Sequence, residues 1–183
     1  TLVVKGSGTG AVSALDGNDK FTLEGSFLSA VKLGDGTNTV TLKGTATSIE
    51  AGKDDDTITL TGSASVGVDA GAGKNTIVIT GTSAVVNAGN GDDKLTLNGD
   101  SNSIIMGDGK NTLKITDTDN KTKSGTIQTG SGDDNITLTG DASIIIAGGG
   151  KNSITVKGNL NGISATDGDD VISVAGEIGR AHV

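Results

Sequence analysis

One glycine recurs along this chain at a nearly constant step: Gly6, Gly25, Gly44, Gly62, Gly81, Gly99 and, after Asp117 in its place, Gly140, Gly158 and Gly176. The steps are 18 or 19 residues, with one long step of 23. A fixed period of this size implies units that bury their apolar face only against one another, which is a solenoid. Glycine supplies 31 of the 183 residues, a share that at irregular positions would argue for disorder, but here the intervals are regular.

Alignment on the repeat exposes four apolar columns. The first two are Leu2, Phe21, Val40, Ile58, Ile77, Leu95, Leu113, Ile136, Ile154, Ile172 and, two residues on, Val4, Leu23, Leu42, Leu60, Ile79, Leu97, Ile115, Leu138, Val156, Val174. The third runs Val12, Val31, Ile49, Val68, Val86, Ile104, Ile127, Ile145, Ile163, and the fourth is mostly alanine, with Leu33, Met106 and the polar Thr129 among its members. A spacing of two places each pair on one face of a strand, where a helix would need 3.6. The predicted fold is therefore all-β: a parallel β-solenoid of about ten coils, two short strands per coil, each strand pairing with its counterpart one coil away at ~4.8 Å. Such a rod is about 45 Å long. The long step, Thr116 to Ser124, reads as a surface loop.

The ends are read separately. The chain starts at Thr1 without an initiator Met, as expected of a fragment of a longer protein, and residues 177–183 (EIGRAHV) match the translation of a sequencing adapter. The expected domain is a single solenoid over residues 1–176.

Composition excludes several functions. With no cysteine, disulfide scaffolds, thiolate metal sites and cysteine nucleophiles are ruled out. A formal net charge of −8 argues against a nucleic-acid binder, and no apolar run reaches the roughly 18 residues of a membrane-spanning helix. Every carboxylate repeats down a column, so no unique catalytic group is set apart from its neighbours, and an enzyme is not expected.

Before each first strand sits a turn of the form G-x-G-x-(D/N). Strict copies are Gly89, Gly91, Asp93 and Gly130, Gly132, Asp134; relaxed copies carry Asn38, Asn75, Asn111 and Asn152, and Asp19, Asp56 and Asp170 follow a single glycine. Glycines at positive φ let successive carbonyls turn toward one point, where an Asp adds an anionic oxygen, a donor set suited to a hard cation such as Ca²⁺. The pattern resembles the hemolysin-type calcium-binding (RTX) repeat, G-G-x-G-x-D-x-U-x, matched by Ala88 to Thr96 (AGNGDDKLT) and Thr129 to Thr137 (TGSGDDNIT). The resemblance implies calcium between the turns of neighbouring coils, held by glycine carbonyls (Gly89, Gly91, Gly130, Gly132) and by the column Asp19, Asn38, Asp56, Asn75, Asp93, Asn111, Asp134, Asn152, Asp170. It also implies an exported, extracellular or cell-surface bacterial protein whose folding is driven by calcium.

The chain departs from that pattern in two ways. Only one edge of each coil carries the turn, and the column alternates Asp with Asn while the residue before it alternates Asp with Lys: Asp55, Lys74, Asp92, Lys110, Asp133, Lys151, Asp169. Like charges stacked at ~4.8 Å repel by about 0.9 kcal/mol in water and ~3.5 kcal/mol at an effective dielectric of 20, and interleaving Lys and Asn removes most of that without metal. Two readings stand side by side: a calcium track, or a metal-free ladder of salt bridges in which side-chain oxygens satisfy turn amides.

A second surface is a threonine array, Thr22, Thr41, Thr59, Thr96, Thr137, Thr155 beside Thr39, Thr57, Thr76 and Thr112, interrupted by Lys20, Lys43, Lys94, Lys114 and Lys157. It is either ordinary strand propensity or a face for ice or a polysaccharide. The expected function is a calcium-stabilised rod or adhesin stalk whose partners are calcium and neighbouring repeats. The alternatives are a metal-free binding module using the threonine face, or the non-catalytic tail of a secreted hydrolase.

Overall fold

The computed structural model describes residues 1–116 and 123–182. Residues 117–122, on which most of the expected surface loop falls, lie outside the described residues.

Among the described residues there is no helix, and twenty strands form two ten-stranded parallel sheets. One sheet takes the first strand of every coil, such as Thr39–Leu42, Thr57–Leu60, Thr76–Ile79 and Lys94–Leu97. The other takes the second, such as Thr45–Glu50, Ser63–Asp69 and Thr82–Asn87. Each strand pairs with the strand two places on in sequence, and Leu95 stands opposite Leu113 and Ile77 as the repeat requires. The molecule is thus the expected parallel β-solenoid, with neighbouring coils as one another's main packing partners. Residues 177–182, which the sequence reading sets apart as an adapter translation, lie against the preceding coil, where Ala181 pairs with Ile163 and His182 with Ser164.

All four apolar columns point inward and are buried except at the end coils and at Ala51. A fifth inward column, Phe27, Ala46, Ala64, Ser83, Ser101, Ser124, Ala142, Leu160, opens the second strand. It carries too little apolar character to register as periodicity. Two of its serines are kept inside by local bonds: Ser83 Oγ donates to the Val85 carbonyl (2.8 Å) and Ser101 Oγ to that of Ser103 (3.0 Å), whereas the buried Ser124 hydroxyl has no partner among the described residues. In the strand Ser63–Asp69 an extra residue at Ser65–Val66 shifts the register against both neighbouring strands, and Val66 is left 60% exposed.

Except at Gly140, where φ is 129°, the glycine that defines the repeat does not mark a left-handed turn. Gly44, Gly62, Gly81 and Gly99 have ordinary φ, yet a Cβ on any of them would overlap the carbonyl oxygen of the equivalent glycine one coil earlier. Backbones stack there with no room for a side chain, so the period records a close approach.

Candidate functional site

The Asp/Asn column faces inward. Asn38, Asp56, Asn75, Asp93, Asn111, Asp134 and Asn152 are between 0% and 2% exposed, whereas Asp19 and Asp170, toward the ends, are half-buried. Each Oδ1 accepts the backbone N–H of the column residue one coil earlier: Asp19 donates to Asn38, Asn38 to Asp56, Asp56 to Asn75, and so on to Asn152 and Asp170, at 2.7–3.1 Å. The backbone carbonyl beside each N–H accepts from the next coil's strand, as in Lys94 N–H to Asn75 O and Thr112 N–H to Asp93 O, both 2.8 Å. Side-chain oxygens therefore do satisfy turn amides, but those of the preceding coil, which makes the column a continuous ladder between coils.

The second oxygen or nitrogen of the side chain separates Asn coils from Asp coils. Asn38 Nδ2 donates to the carbonyls of Gly34 (3.2 Å) and Gly36 (2.7 Å), and Asn111 Nδ2 to Gly107 and Gly109 (both 3.1 Å). Asn75 Nδ2 donates to Gly71 (3.4 Å), Gly73 (3.3 Å) and, one coil on, Ala88 (3.1 Å); Asn152 Nδ2 donates to Gly148 (3.0 Å). In the Asp coils the corresponding oxygens, Asp56 Oδ2, Asp93 Oδ2 and Asp134 Oδ2, are buried without a hydrogen-bond partner. An unpaired buried carboxylate is costly, and its charge is the expensive part. Burial accordingly pushes Asp56 up to about 6 and Asp93 up to about 7, against the N–H bonds from Asn38 and Asn75 that favour the charged form. Asp134 is also raised by burial, opposed by the Asn111 N–H and by the Thr129 hydroxyl beside it. Thr129, the polar exception in the fourth apolar column, thus sits beside a buried acid.

The alternating Asp/Lys column lies outside this ladder and is exposed. The backbone N–H groups of Lys74, Lys110 and Lys151 donate to Oδ1 of Asp55, Asp92 and Asp133 one coil earlier, at 2.8–2.9 Å. The ammonium groups reach the other way, Lys74 to Asp92 (3.4 Å) and Lys151 to Asp169 (3.5 Å). These are solvated pairs worth little each.

The four glycines named with the column divide. Gly89, Gly91 and Gly132 hold positive φ (93°, 140° and 125°), while Gly130 does not. In the Asp56 coil a non-glycine takes the left-handed position, Asp54 at φ 80°. That conformation costs a non-glycine residue about 1–2 kcal/mol. Asp54→Gly is expected to raise stability by about 1 kcal/mol, read as a shifted urea midpoint at unchanged slope; a loss would show that Asp54 makes a compensating contact.

The donor set fits calcium poorly. Calcium takes six to eight oxygens, and an Asp coil offers one free carboxylate oxygen with no second acid in the column beside it. Because Asp and Asn alternate strictly, every interface between these turns has an amide on one side, and the amides at Asn38, Asn75, Asn111 and Asn152 already occupy turn carbonyls. Among the described residues no group of three or more His, Asp or Glu side chains is placed to hold a metal ion.

Two outer faces remain. On the first sheet Thr22, Thr41, Thr59, Thr96, Thr137 and Thr155 form a half-buried outward row, with Thr57, Thr76 and Thr112 more exposed beside it. The interrupting Lys20, Lys94 and Lys114 are exposed on the same face. On the second sheet an open groove of about 600 Å³ runs across four coils, lined by Val66, Val85 and Ile105 together with Glu50, Asp69 and Asn87. Sequence reading missed it, because the bulge at Ser65–Val66 leaves Val66 outward and no alternation marks it. No helix is long and apolar enough to cross a membrane among the described residues.

Comparison with protein-family models, with curated proteins and with solved structures finds no match to this chain.

Proposed function

We propose that this chain is a structural rod, a stalk or spacer segment of a secreted or cell-surface bacterial protein. The observation that carries the reading is the uninterrupted core: the same inward columns and the same two ladders run through successive coils, so the chain specifies length and stiffness. The acidic, cysteine-free composition and the repetition of each charged group down a column support a non-catalytic role. Nine steps of about 4.8 Å separate the first and tenth rungs, a span of about 43 Å.

Mechanical pulling on the chain from its two ends tests the rod. A stalk built of stacked coils is expected to lengthen in increments of one or a few 18-residue units, since stability in a repeat array is shared between nearest neighbours. The competing reading, a binding module using the threonine row, is favoured by the in-register stacking of Thr41, Thr59 and Thr22. Ice-growth inhibition or a reproducible polysaccharide signal, abolished by lysine at Thr41 and Thr59, would displace the rod reading.

A further inference from the structure

We infer that the side-chain amides of Asn38, Asn75, Asn111 and Asn152 stand where a calcium ion would otherwise cross-link the turns, so that the solenoid closes without metal. A cation between two glycine turns does two things: it neutralises acidic side chains, and it gathers carbonyl oxygens that point at one another. In this chain the amide does the second directly. Asn75 Nδ2 donates to two carbonyls of its own turn and to the Ala88 carbonyl of the next coil, bridging the interface as an interstitial ion would. Its Oδ1 meanwhile accepts the Asp56 N–H, tying the same residue to the coil before. The first task disappears because substituting Asn at alternate positions leaves no two Asp residues adjacent in the column.

The inference is independent of what the rod does, since a stalk or a binding face could rest on either kind of ladder. It also identifies the alternation as the feature that sets this chain apart from the repeat family it resembles. Asn and Asp share shape and the Oδ1 acceptor, so both keep the ladder, but the amide donates hydrogen bonds to the turn carbonyls and an ionised carboxylate does not.

Melting the protein at neutral pH in chelator and in millimolar CaCl₂ tests metal independence. The melting temperature is expected to agree within about 1 °C; a rise of about 5 °C or more with calcium, or an unfolded chain in chelator, would overturn the inference. The role of the amide is read from Asn75→Asp against Asn98→Asp, which adds the same charge at an exposed position. In chelator the first is expected to melt at least about 5 °C below the second, or not to fold. Equal melting of the two variants would overturn the assignment, because donation from Nδ2 would then hold nothing together.

Discussion

Gly81→Ala is expected to cost about 4 kcal/mol or more, a large fraction of the stability a domain of this size commands. The Cβ would overlap the carbonyl oxygen of Gly62 and crowd the backbone of Thr61. Backbone cannot swing aside as a long side chain does, so the coil must lift away from its neighbour and lose the ladder bonds on either side, among them Thr80 N–H to Leu60 O and Thr82 N–H to Gly62 O. Because stability in a stack is transmitted between neighbours, the rod is expected to melt in two stages, with the halves on each side of the damaged coil behaving separately. Gly6→Ala is the control: it makes the same change in the same column, yet a Cβ there meets nothing within 4 Å. Urea or thermal melts of the two variants decide the matter. Similar losses in both would mean that the glycine column serves chain flexibility and that close stacking is not its cause.

The second large effect concerns acid. Burial raises the carboxyls of Asp56 and Asp93 from 3.8 to about 6 and about 7, and Asp134 in the same direction. The folded chain therefore holds protons that the unfolded chain releases. The stabilisation from these groups is complete below about pH 4 and is lost as pH rises through 6 to 7, to the extent of a few kcal/mol. Exposed acids act oppositely: the Lys43 ammonium holds Glu24 low, Lys53 holds Asp35 low, and the Lys110 N–H with the Lys74 ammonium does so for Asp92. Their contribution is lost only as pH falls below the ordinary carboxylate range, so stability should peak near pH 5.

Asp93→Asn removes the largest of the raised acids and supplies the amide that Asn75 and Asn111 already use. At pH 8 it is expected to add about 3 kcal/mol and at pH 4.5 almost nothing, so the slope of stability against pH flattens. Urea midpoints of the two proteins at both pH values check this. An Asp93→Asn protein that is less stable at pH 8 would mean that the carboxylate has a partner which pays for its burial.

Much of the fold was legible because a solenoid repeats its evidence. Leu95 alone says little, but Leu95 with Ile77 and Leu113 one period away on either side identifies an inward column, and the spacing of two from Leu97 identifies a strand. The fifth column escaped notice because Ser83, Ser101 and Ser124 are polar, and what keeps Ser83 and Ser101 inside, a bond to a carbonyl two residues on, leaves no hydropathy signal. The Asp/Asn column was legible as a stack of equivalent turn residues, but its inward direction was not. Asp93 and Asn75 read as turn residues offering oxygens to an ion, since polar side chains after a glycine turn usually face water. Their burial follows from a property of the stack: each coil presents an orphan N–H to its neighbour, and only a short side chain with an oxygen at Oδ1 reaches it. The Asp/Asn alternation was visible and its electrostatic reason was sound, but that the amide also closes the turn depends on the 2.7 Å approach of Asn38 to Gly36, which no spacing announces.

Residue-resolved hydrogen exchange in chelator, at neutral pH, tests most directly whether the Asp/Asn column is an internal ladder. The backbone N–H groups of Asn75, Asp93 and Asn111, which lie outside the regular strands and bond only to side chains one coil on, are expected to be as slow as the strand amides of Lys94 and Thr112. Exchange of these three at the rate of open turns while Lys94 and Thr112 stay protected would contradict it.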